Sequence, residues 1–390
     1  MTKNNYTCGI DIGTHSTKIV VVGFDKNKNE TTVLATGISE TKGMRFGYIT
    51  NTDKVTESIK RAMKQIESTS GIKVRKAYLS IGGINLSSTT SIGSVIISKA
   101  DQEITNLDVT KAIANSEENL DIINKKIIHT IPLAYKLDGK DIYARPEGLR
   151  GIKLEVKTLF VTCLKQNVED LITACGLAKI EIEEITASPL ITSSVLLSNK
   201  QKVAGCILVD IGAETVCTAV YENNLPISVS VFPIGSMDIT KDIALGLKIS
   251  LEEAESIKLG SVIGGDYSKK KVDEIIEARL GDVLELIGNQ LKRLKRSELL
   301  PAGIIITGGG SAINNLETLA RNQLKLPSKI GTLDSSISNK IKVRDFSWYS
   351  ALGLALSESE SQNDISNNII GENMKEVKNF FKSIFSQLLP

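Results

Sequence analysis

The amino-acid sequence predicts an α/β protein in which duplicated domains surround a cleft, with a short amphipathic helix at the C-terminal end. The triplet Asp-Ile-Gly stands at residues 11–13 and again at 210–212, and each copy joins two apolar, strand-like segments. Residues 374–390 carry apolar side chains at helical spacing, which predicts the amphipathic helix. Because duplicated domains commonly face each other, both triplets are expected at one cleft.

Length and composition are typical of a soluble globular protein with more than one domain: 390 residues, 41% hydrophobic and 24% charged. The net charge of +2 does not favour nucleic acid as a partner. Five cysteines are scattered without Cys-x-x-Cys spacing, which favours reduced thiols and no metal site among them. No stretch approaches the about 20 apolar residues of a spanning helix. We therefore expect a cytoplasmic protein whose partners are set by local sites.

Each repeat has the same plan of elements. The first, from Tyr6, reads as strand, turn, second strand, polar turn and third strand, followed by a helix over 52–69. The second, from Ile207, repeats this order, and its helix begins near Ser236. This plan predicts two α/β domains of equal topology.

The two turns have the chemistry of phosphate-binding loops. Glycine-rich turns leave backbone N–H groups that can point at an anion, and small hydroxylated side chains let phosphate approach. The candidate phosphate contacts are Gly13, Thr14, His15, Ser16, Gly212, Ala213 and Thr215, with Lys18 as a nearby positive charge. Asp11 and Asp210 are candidates to hold Mg²⁺ through water. The alternative is that each triplet is an ordinary strand end with turn chemistry, and that His15 turns its ring outward.

A third motif adds a glycine-rich loop after a buried strand. The segment GIIITGGGS, residues 303–311, predicts a short apolar strand that leads into Gly308, Gly309, Gly310 and Ser311. The glycines let a flat ligand lie against the backbone, and a helix expected directly after them would add a positive dipole end. Upstream, Glu255 and Lys258 stand at helical i, i+3 spacing. They are either ligand contacts or a solvated ion pair.

The order of these motifs resembles the actin, sugar kinase and DnaK-type chaperone superfamily. The resemblance implies that ATP and Mg²⁺ bind in the cleft, with adenosine at Gly308–Ser311 and with Glu255 and Lys258 near the ribose and adenine. A fold of duplicated actin-like, ribonuclease H-like domains follows from it. A small-molecule kinase would also need a catalytic Asp, for which we find no candidate, and a DnaK-type chaperone would need a further domain.

One branch of the superfamily is indicated by the segments IGGINLSSTTSIGSVIIS (81–98) and PEGLRGIKLEVKTLFVTC (146–163). They resemble the inserted SHS2 (1C) subdomain of the FtsA family, the actin homologues of bacterial cell division. The implied subdomains are 1A (1–83, 164–198 and 334–357), 1C (84–163), 2A (199–233 and 301–333) and 2B (234–300). PilM-type pilus adaptors, which share fold and subdomain, are the alternative.

The FtsA resemblance also implies partners. Members of the family polymerise head to tail and tether FtsZ filaments to the membrane, so a second copy of the chain and the FtsZ C-terminal peptide are expected partners. The peptide is expected on subdomain 2B, where the candidate contacts are Arg279, Lys292 and Arg293. The alternative is a solvated basic face.

Several residues depart from the hydrolytic pattern of the superfamily. Ala213 and Glu214 replace two glycines of the second loop, and Cys217 replaces an Asp. Ser188 and Pro189 stand where hydrolytic relatives orient water, and neither is a general base at neutral pH. ATP hydrolysis is therefore expected to be slow or absent. Glu214 has two possible orientations, towards the terminal phosphate or towards solvent.

The C-terminal end predicts a membrane anchor. Residues 358–373 are polar and predict a flexible linker, and 374–390 form the amphipathic helix. Its apolar face includes Phe380, Phe381, Ile384, Phe385 and Leu388, bordered by Lys378 and Lys382. Such a helix lies in the plane of an anionic phospholipid surface rather than spanning it. We expect a peripheral protein at the cytoplasmic face of the membrane; the alternative is a helix that docks on its own domain or on a partner.

Overall fold

A computed structural model describes residues 6–25, 30–260, 268–333 and 345–363. The described chain divides into two compact units. Within the described residues, the first combines those up to Asn85 with Glu169–Gln362, and the second contains Leu86–Val168. The second unit is thus inserted into the first.

The first unit contains two five-stranded sheets and a small hairpin. The strands of the first sheet are β1 (Tyr6–Ile12), β2 (Ser16–Asp25), β3 (Glu30–Glu40), β6 (Lys76–Ile81) and β11 (Glu181–Ala187). Those of the second sheet are β12 (Cys206–Ile211), β13 (Val216–Glu222), β14 (Leu225–Phe232), β15 (Gly303–Thr307) and β16 (Ser328–Ile330). The hairpin consists of β4 (Met44–Arg45) and β5 (Tyr48–Ile49).

The two sheets have the same strand order, which confirms the predicted duplication. The orders are β11-β6-β1-β2-β3 and β16-β15-β12-β13-β14. In each, the strand that ends in the Asp-Ile-Gly triplet pairs antiparallel with the next strand and parallel with a later one. Asp11 lies opposite Lys18, and Asp210 lies opposite Cys217. The two aspartates therefore occupy equivalent positions at the ends of central strands.

Helices cover the sheets of the first unit. They are α1 (Thr52–Ser70), α3 (Lys165–Leu177, which starts in the second unit), α4 (Ser188–Leu196), α5 (Asn199–Ala204), α6 (Ser236–Leu247), α7 (Leu251–Lys258), α8 (Lys269–Arg293), α9 (Leu316–Leu324) and α10 (Tyr349–Asn363). The two helices predicted over 52–69 and from Ser236 are confirmed. In the second half of the unit, α6 and α8 bury apolar faces, including Ile243 and Leu284, against Ile207 and Ile304 of the sheet. This burial fixes the strand that carries Asp210.

Helix α1 has a defined cap at each end and packs against the first sheet through one apolar face. The Asn51 side chain accepts a hydrogen bond from the Lys54 N–H at the N-terminus, and Gly71 ends the helix in the left-handed conformation with φ 72°. Val55, Ile59 and Ile66 are buried along one face. The helical spacing of these apolar residues therefore determines which side of α1 packs on the sheet.

The second unit is a four-stranded sheet with one helix. Its strands are β7 (Ser87–Ile96), β8 (Lys125–Leu137), β9 (Lys140–Ile142) and β10 (Lys153–Leu164), in the order β7-β10-β8-β9, and its helix is α2 (Asn106–Glu118). Gly93 lets α2 approach the sheet closely, because a Cβ there would overlap the backbone at Ala112 and Ser116. Val109 and Ile113 of α2 pack with Leu154 and Val156 in its core.

Two predictions about local structure are wrong. The linker was expected to start at residue 358, whereas α10 continues to Asn363, because the helix that begins in an apolar segment extends into residues such as Glu that favour helix. The helix expected directly after the glycine loop is a short 3₁₀ helix, Gly309–Ala312, and α9 begins only at Leu316. The rest of the predicted linker and the amphipathic helix lie outside the described residues. The helices of the described residues do not include a candidate membrane span.

Candidate functional site

A cavity of about 780 Å³ lies in the first unit where the two Asp-Ile-Gly strands end. Most of the predicted nucleotide and metal residues line it: Asp11, Gly13, Thr14, His15, Ser16, Lys18, Asp210, Gly212, Ala213, Thr215, Glu255, Lys258, Gly308 and Gly309. Gly310 and Ser311 are the predicted residues that do not. The tertiary structure thus brings the three separate motifs to one cavity.

The two predicted phosphate turns have the same backbone geometry. The Gly13 N–H donates to the Ser16 carbonyl oxygen at 3.1 Å, and the Gly212 N–H donates to the Thr215 carbonyl oxygen at 2.8 Å. In the first turn, the Lys18 Nζ donates to Ser16 Oγ at 2.6 Å, so the lysine is held at the turn although it is almost fully buried. A buried ammonium beside a tight turn is suited to an anionic ligand.

The N-terminus of α6 supports the second turn. The N–H groups of Ser236 and Met237 donate to the carbonyl oxygens of Gly212 at 2.9 Å and Ala213 at 2.8 Å. Gly235 packs so closely that a Cβ there would overlap the Ala213 backbone. These contacts use helix N–H groups to fix the turn, which makes it a rigid part of the second half of the unit.

The two aspartates form a pair of carboxyl groups at the floor of the cavity. Burial raises the pKa of Asp11, while a hydrogen bond from Ser80 Oγ and the charge of Lys18 oppose this rise. Burial and the charge of Asp11 raise the pKa of Asp210 to about 7, against the opposing charge of Lys18. Two carboxylates with one lysine leave an excess of negative charge, which a hydrated divalent cation would offset. Within the described residues, no cluster of three or more metal-binding side chains is found.

Cys217, which lies opposite Asp210 in the sheet, adds no charge to this floor. Burial and the charge of Asp210 raise the pKa of its thiol, so the side chain stays neutral. Ser188 lines the cavity, and Pro189 is buried in the first turn of α4. The residues at these two positions therefore provide no carboxylate or neutral imidazole to activate water.

The glycine loop has residues of two kinds. Gly308 has φ 90°, and a Cβ there would overlap the Asp210 carboxylate and the Ile211 backbone, so packing requires glycine. Gly310 packs in the same way on Ile211, and the buried Ser311 Oγ donates to the Gly308 carbonyl oxygen at 2.7 Å. Gly309 faces the cavity, with Ser347 Cβ as the nearest neighbour at 3.9 Å from a Cβ built there. Of the four residues expected to contact a ligand, Gly308 and Gly309 line the cavity, whereas Gly310 and Ser311 only shape the loop.

Glu255 and Lys258 form a partly buried pair rather than a solvated one. Lys258 Nζ lies 2.7 Å from Glu255 Oε2, and the lysine side chain is 6% exposed. The ammonium also donates to Thr240 Oγ1 at 2.9 Å and to the Ser236 carbonyl oxygen at 3.2 Å. Burial would raise the pKa of Glu255, but hydrogen bonds from Lys258 and Thr240 outweigh it and lower that pKa. Both side chains therefore present fixed polar groups to the cavity.

Glu214 adopts neither of its two expected orientations. Its carboxylate crosses to the β4–β5 hairpin, where Oε1 lies 2.8 Å from Arg45 Nε and Oε2 accepts the Phe46 N–H at 2.7 Å. The residue is 9% exposed. Its charge is therefore satisfied by the hairpin and is directed neither at phosphate nor at solvent.

Sequence reasoning missed part of the cavity wall. The missed residues include Met44, Gly47, Ser80, Gly82, Gly83, Asp345, Phe346, Ser347 and Ser350. The Gly-Gly pair directly after β6 was a usable signal, because Gly47, with φ 81°, packs on Gly83. Residues 345–350 have no comparable motif, so the sequence alone gave no reason to select them.

The predicted FtsZ contacts are not brought together. Arg279 forms a two-pronged ion pair with Asp242, at 2.6 and 3.1 Å, and also contacts Asp282. Lys292 and Arg293 are exposed at the far end of α8, about 20 Å along the helix by its rise per residue. The membrane residues Phe380, Phe381, Ile384, Phe385, Leu388, Lys378 and Lys382 lie outside the described residues.

Two sheets of identical strand order, with equivalent turns at a shared cavity, define an actin-like protein. Solved structures with the same fold support this class. A type IV pilus PilM–PilN complex matches with TM-score 0.67 and 17% identity, covering 90% of this chain and 97% of that one. MreB5 of Spiroplasma citri bound to ADP matches with TM-score 0.55 and 12% identity, covering 94% and 99%. At these identities the likeness concerns the fold.

Sequence comparison identifies the family. The model of "Cell division protein FtsA" matches residues 207–353, and that of the "SHS2 domain inserted in FTSA" matches residues 83–162. The cell division protein FtsA of Bacillus subtilis (strain 168) is 30% identical over 375 residues, covering 91% of this chain and 83% of that protein. This chain belongs to the FtsA family of actin-like cell-division proteins, which confirms the predicted family and the actin-like fold with its inserted SHS2 subdomain.

Proposed function

We propose that the protein binds Mg-ATP in the cavity and, as a polymer, tethers FtsZ filaments to the cytoplasmic face of the membrane at the division site. The observation that carries this proposal is the pair of equivalent turns, each headed by an aspartate, at one cavity. Such a site suits a ligand with several phosphates and a divalent cation, because both halves present an equivalent tight turn and a carboxylate.

The residues present fit this ligand. The turns at Gly13 and Gly212 would cradle phosphates, Lys18 would offset their charge, and Asp11 and Asp210 would hold Mg²⁺ through water. The raised pKa of Asp210 supports the cation, which would take the place of a proton between two carboxyl groups. The adenosine would lie by Gly309, with Glu255 and Lys258 as polar contacts.

ATP turnover is proposed to be slow. Ser188 and Pro189 offer no base at the position where hydrolytic relatives orient water, and Cys217 is neutral. A rate above about 1 per second, the low end of ordinary enzymes, would contradict this part of the proposal. ATP then acts mainly to set the conformation in which copies of the chain associate.

Membrane attachment is proposed for residues 374–390 on the basis of their sequence. The apolar face would enter the headgroup region, and each lysine would contribute on the order of 1 kcal/mol at an anionic surface. One such helix binds marginally after the entropy of ordering is subtracted. A polymer presents many helices at once, which raises avidity by roughly 10²- to 10⁴-fold.

The FtsZ peptide is proposed to dock on subdomain 2B. Lys292 and Arg293 are exposed there and suit an acidic peptide. Arg279 is held by Asp242, so it would contribute less than its position in the sequence suggests. This assignment rests on the family resemblance and on charge.

Co-sedimentation with vesicles tests the proposal. The protein is spun with phosphatidylglycerol-containing vesicles, with and without FtsZ and Mg-ATP, and vesicles of phosphatidylcholine alone serve as the control. We expect FtsZ in the pellet only when this protein and anionic lipid are both present, with more FtsZ when Mg-ATP is added. Lipid binding without FtsZ recruitment would contradict the FtsZ part of the proposal, and absence of both would contradict the tether and favour the PilM-type adaptor or the small-molecule kinase.

A further inference from the structure

We propose that Glu214 closes a clasp across the cavity, holding the β4–β5 hairpin on the second phosphate turn so that nucleotide leaves only after the clasp opens. The inference rests on the proposed nucleotide site. It assigns a role to a residue that departs from the glycine pattern of the superfamily.

Both carboxylate oxygens of Glu214 are engaged. Oε1 lies 2.8 Å from Arg45 Nε, and Oε2 accepts the Phe46 N–H at 2.7 Å. The Arg45 guanidinium in turn lies 5.3 Å from the centre of the Phe46 ring, which restricts its position. The Arg45 side chain is 58% exposed, whereas that of Glu214 is 11% exposed, so the charge-assisted bond from the Phe46 N–H to the shielded carboxylate is the stronger part of the contact and the ion pair adds to it.

The hairpin belongs to the first half of the unit. The Gly47 N–H donates to Thr14 Oγ1 of the first phosphate turn at 3.3 Å, and the Ile84 N–H donates to the Phe46 carbonyl oxygen at 3.3 Å. Gly47 also packs directly on Gly83, where a Cβ would overlap the backbone. The hairpin is therefore fixed to the first turn and to the residues after β6.

Glu214 belongs to the second half. It lies between Ala213 and Thr215 in a turn that α6 holds by two backbone hydrogen bonds. The contact from Glu214 to Arg45 and Phe46 thus joins two independently supported parts. Met44 and Gly47 of the hairpin line the cavity, so separating the hairpin from the second turn would open the cavity wall.

The clasp also reduces electrostatic repulsion between Glu214 and a bound polyphosphate. A glutamate in a phosphate turn would repel a bound polyphosphate, since like charges at short distance are unfavourable. Arg45 neutralises this carboxylate and draws it away from the turn backbone. A charged residue is thereby accommodated where the superfamily pattern has glycine, and it links the two halves as glycine cannot.

Nucleotide dissociation tests the clasp. Wild-type protein, Glu214→Ala and Arg45→Ala are loaded with a fluorescent ATP analogue and Mg²⁺ and chased with unlabelled ATP in a stopped-flow instrument. We expect about tenfold faster dissociation from both variants, with a smaller change for Glu214→Gln, which keeps one acceptor oxygen but loses the second acceptor and the charge. Glu183→Gln removes a Lys76 ion pair away from the cavity and is the matched control, with an unchanged rate. Equal rates for wild type and Glu214→Ala would overturn the clasp.

A measurement without nucleotide separates this inference from the proposed function. Hydrogen exchange of the Phe46 amide is followed in nucleotide-free wild type and Glu214→Ala, with thermal unfolding as a check that both are folded. The clasp predicts at least tenfold faster exchange in the variant, because the amide loses its acceptor. Unchanged exchange would contradict the clasp even if ATP binds. Failure of wild type to bind ATP, with faster exchange in the variant, would contradict only the nucleotide site.

Discussion

The carboxyl groups of Asp11 and Asp210 occupy equivalent positions in two sheets and interact at the floor of one cavity. Burial together with the charge of Asp11 raises the pKa of Asp210 to about 7. Near neutral pH the pair therefore retains a proton for part of the time, and a cation or a proton is needed to relieve the repulsion. This relationship carries two predictions about Asp210.

Replacing Asp210 with Asn should weaken Mg-ATP binding at least about a hundredfold, because the variant loses one of two carboxylates that are proposed to hold hydrated Mg²⁺. Isothermal titration calorimetry with Mg-ATP and with ATP plus EDTA measures the effect. Asp282→Asn, on the exposed side of α8, is the control and should bind as wild type does. Undiminished Mg²⁺ dependence in Asp210→Asn would contradict the assignment.

The stability of the nucleotide-free protein should depend on the ionisation of Asp210. Its pKa is near 7 in the folded protein and 3.8 in the reference state, so between these values the folded state binds a proton that the unfolded state releases. Stability from this group is therefore present at low pH and lost as pH rises towards 7. Asp210→Asn lacks this loss, so its melting temperature relative to wild type should rise between pH 4 and 7 and then level off. Scanning calorimetry without Mg²⁺ tests this; a difference independent of pH would refute it.

Adjacent glycines should respond differently to substitution. Gly308→Ala should destabilise the fold by about 1–3 kcal/mol, because the residue has φ 90° and its Cβ would overlap the Asp210 carboxylate. Gly309→Val should leave the melting temperature within a few degrees of wild type but abolish ATP binding, since its side chain would enter the cavity. Thermal unfolding measures the stability of both variants, and isothermal titration calorimetry measures their ATP binding. Loss of stability in Gly309→Val without loss of binding would reverse our assignment.

The predicted orientation of the membrane helix can be tested with two double glutamate variants, one on the apolar face and one on the polar face. Phe381→Glu with Phe385→Glu should release the protein from anionic vesicles, because the apolar face would then carry two carboxylates. Ser383→Glu with Ser386→Glu adds the same charge to the polar face and should retain most of the binding. Flotation with vesicles measures both, and ATP binding should be unchanged in each. Release by the serine variant alone would contradict the predicted face.

The basic end of α8 is predicted to bind the FtsZ peptide. Charge reversal at Lys292 and Arg293 should weaken peptide binding about tenfold and leave ATP binding intact, because both residues are exposed and distant from the cavity. Reversal at Arg279 should instead lower stability by facing Asp242 with a second negative charge. Fluorescence anisotropy with a labelled FtsZ C-terminal peptide tests this. If peptide affinity survives reversal at Lys292 and Arg293, the peptide binds elsewhere.

The sequence by itself determined the duplication, the turns and the family. These features depend on local chemistry: a strand that ends in Asp-Ile-Gly, a turn that needs glycine, and the spacing of apolar residues in α1. The second copy of the triplet made the pattern specific, and the structure places Asp11 and Asp210 at equivalent ends of their strands. Residues close in sequence were sufficient for these predictions.

Tertiary structure decided which of these residues act on the cavity. Glu214 contacts the Phe46 N–H, 168 residues earlier in the chain, and no periodicity or turn rule could specify that partner. Gly308 and Gly309 are neighbours in one glycine triplet and both line the cavity, yet Asp210 leaves no room for a Cβ at Gly308, whereas Gly309 has room for one. Orientation and long-range contact depend on how the separate segments pack against one another, and that packing is fixed only when the two sheets and their helices are assembled.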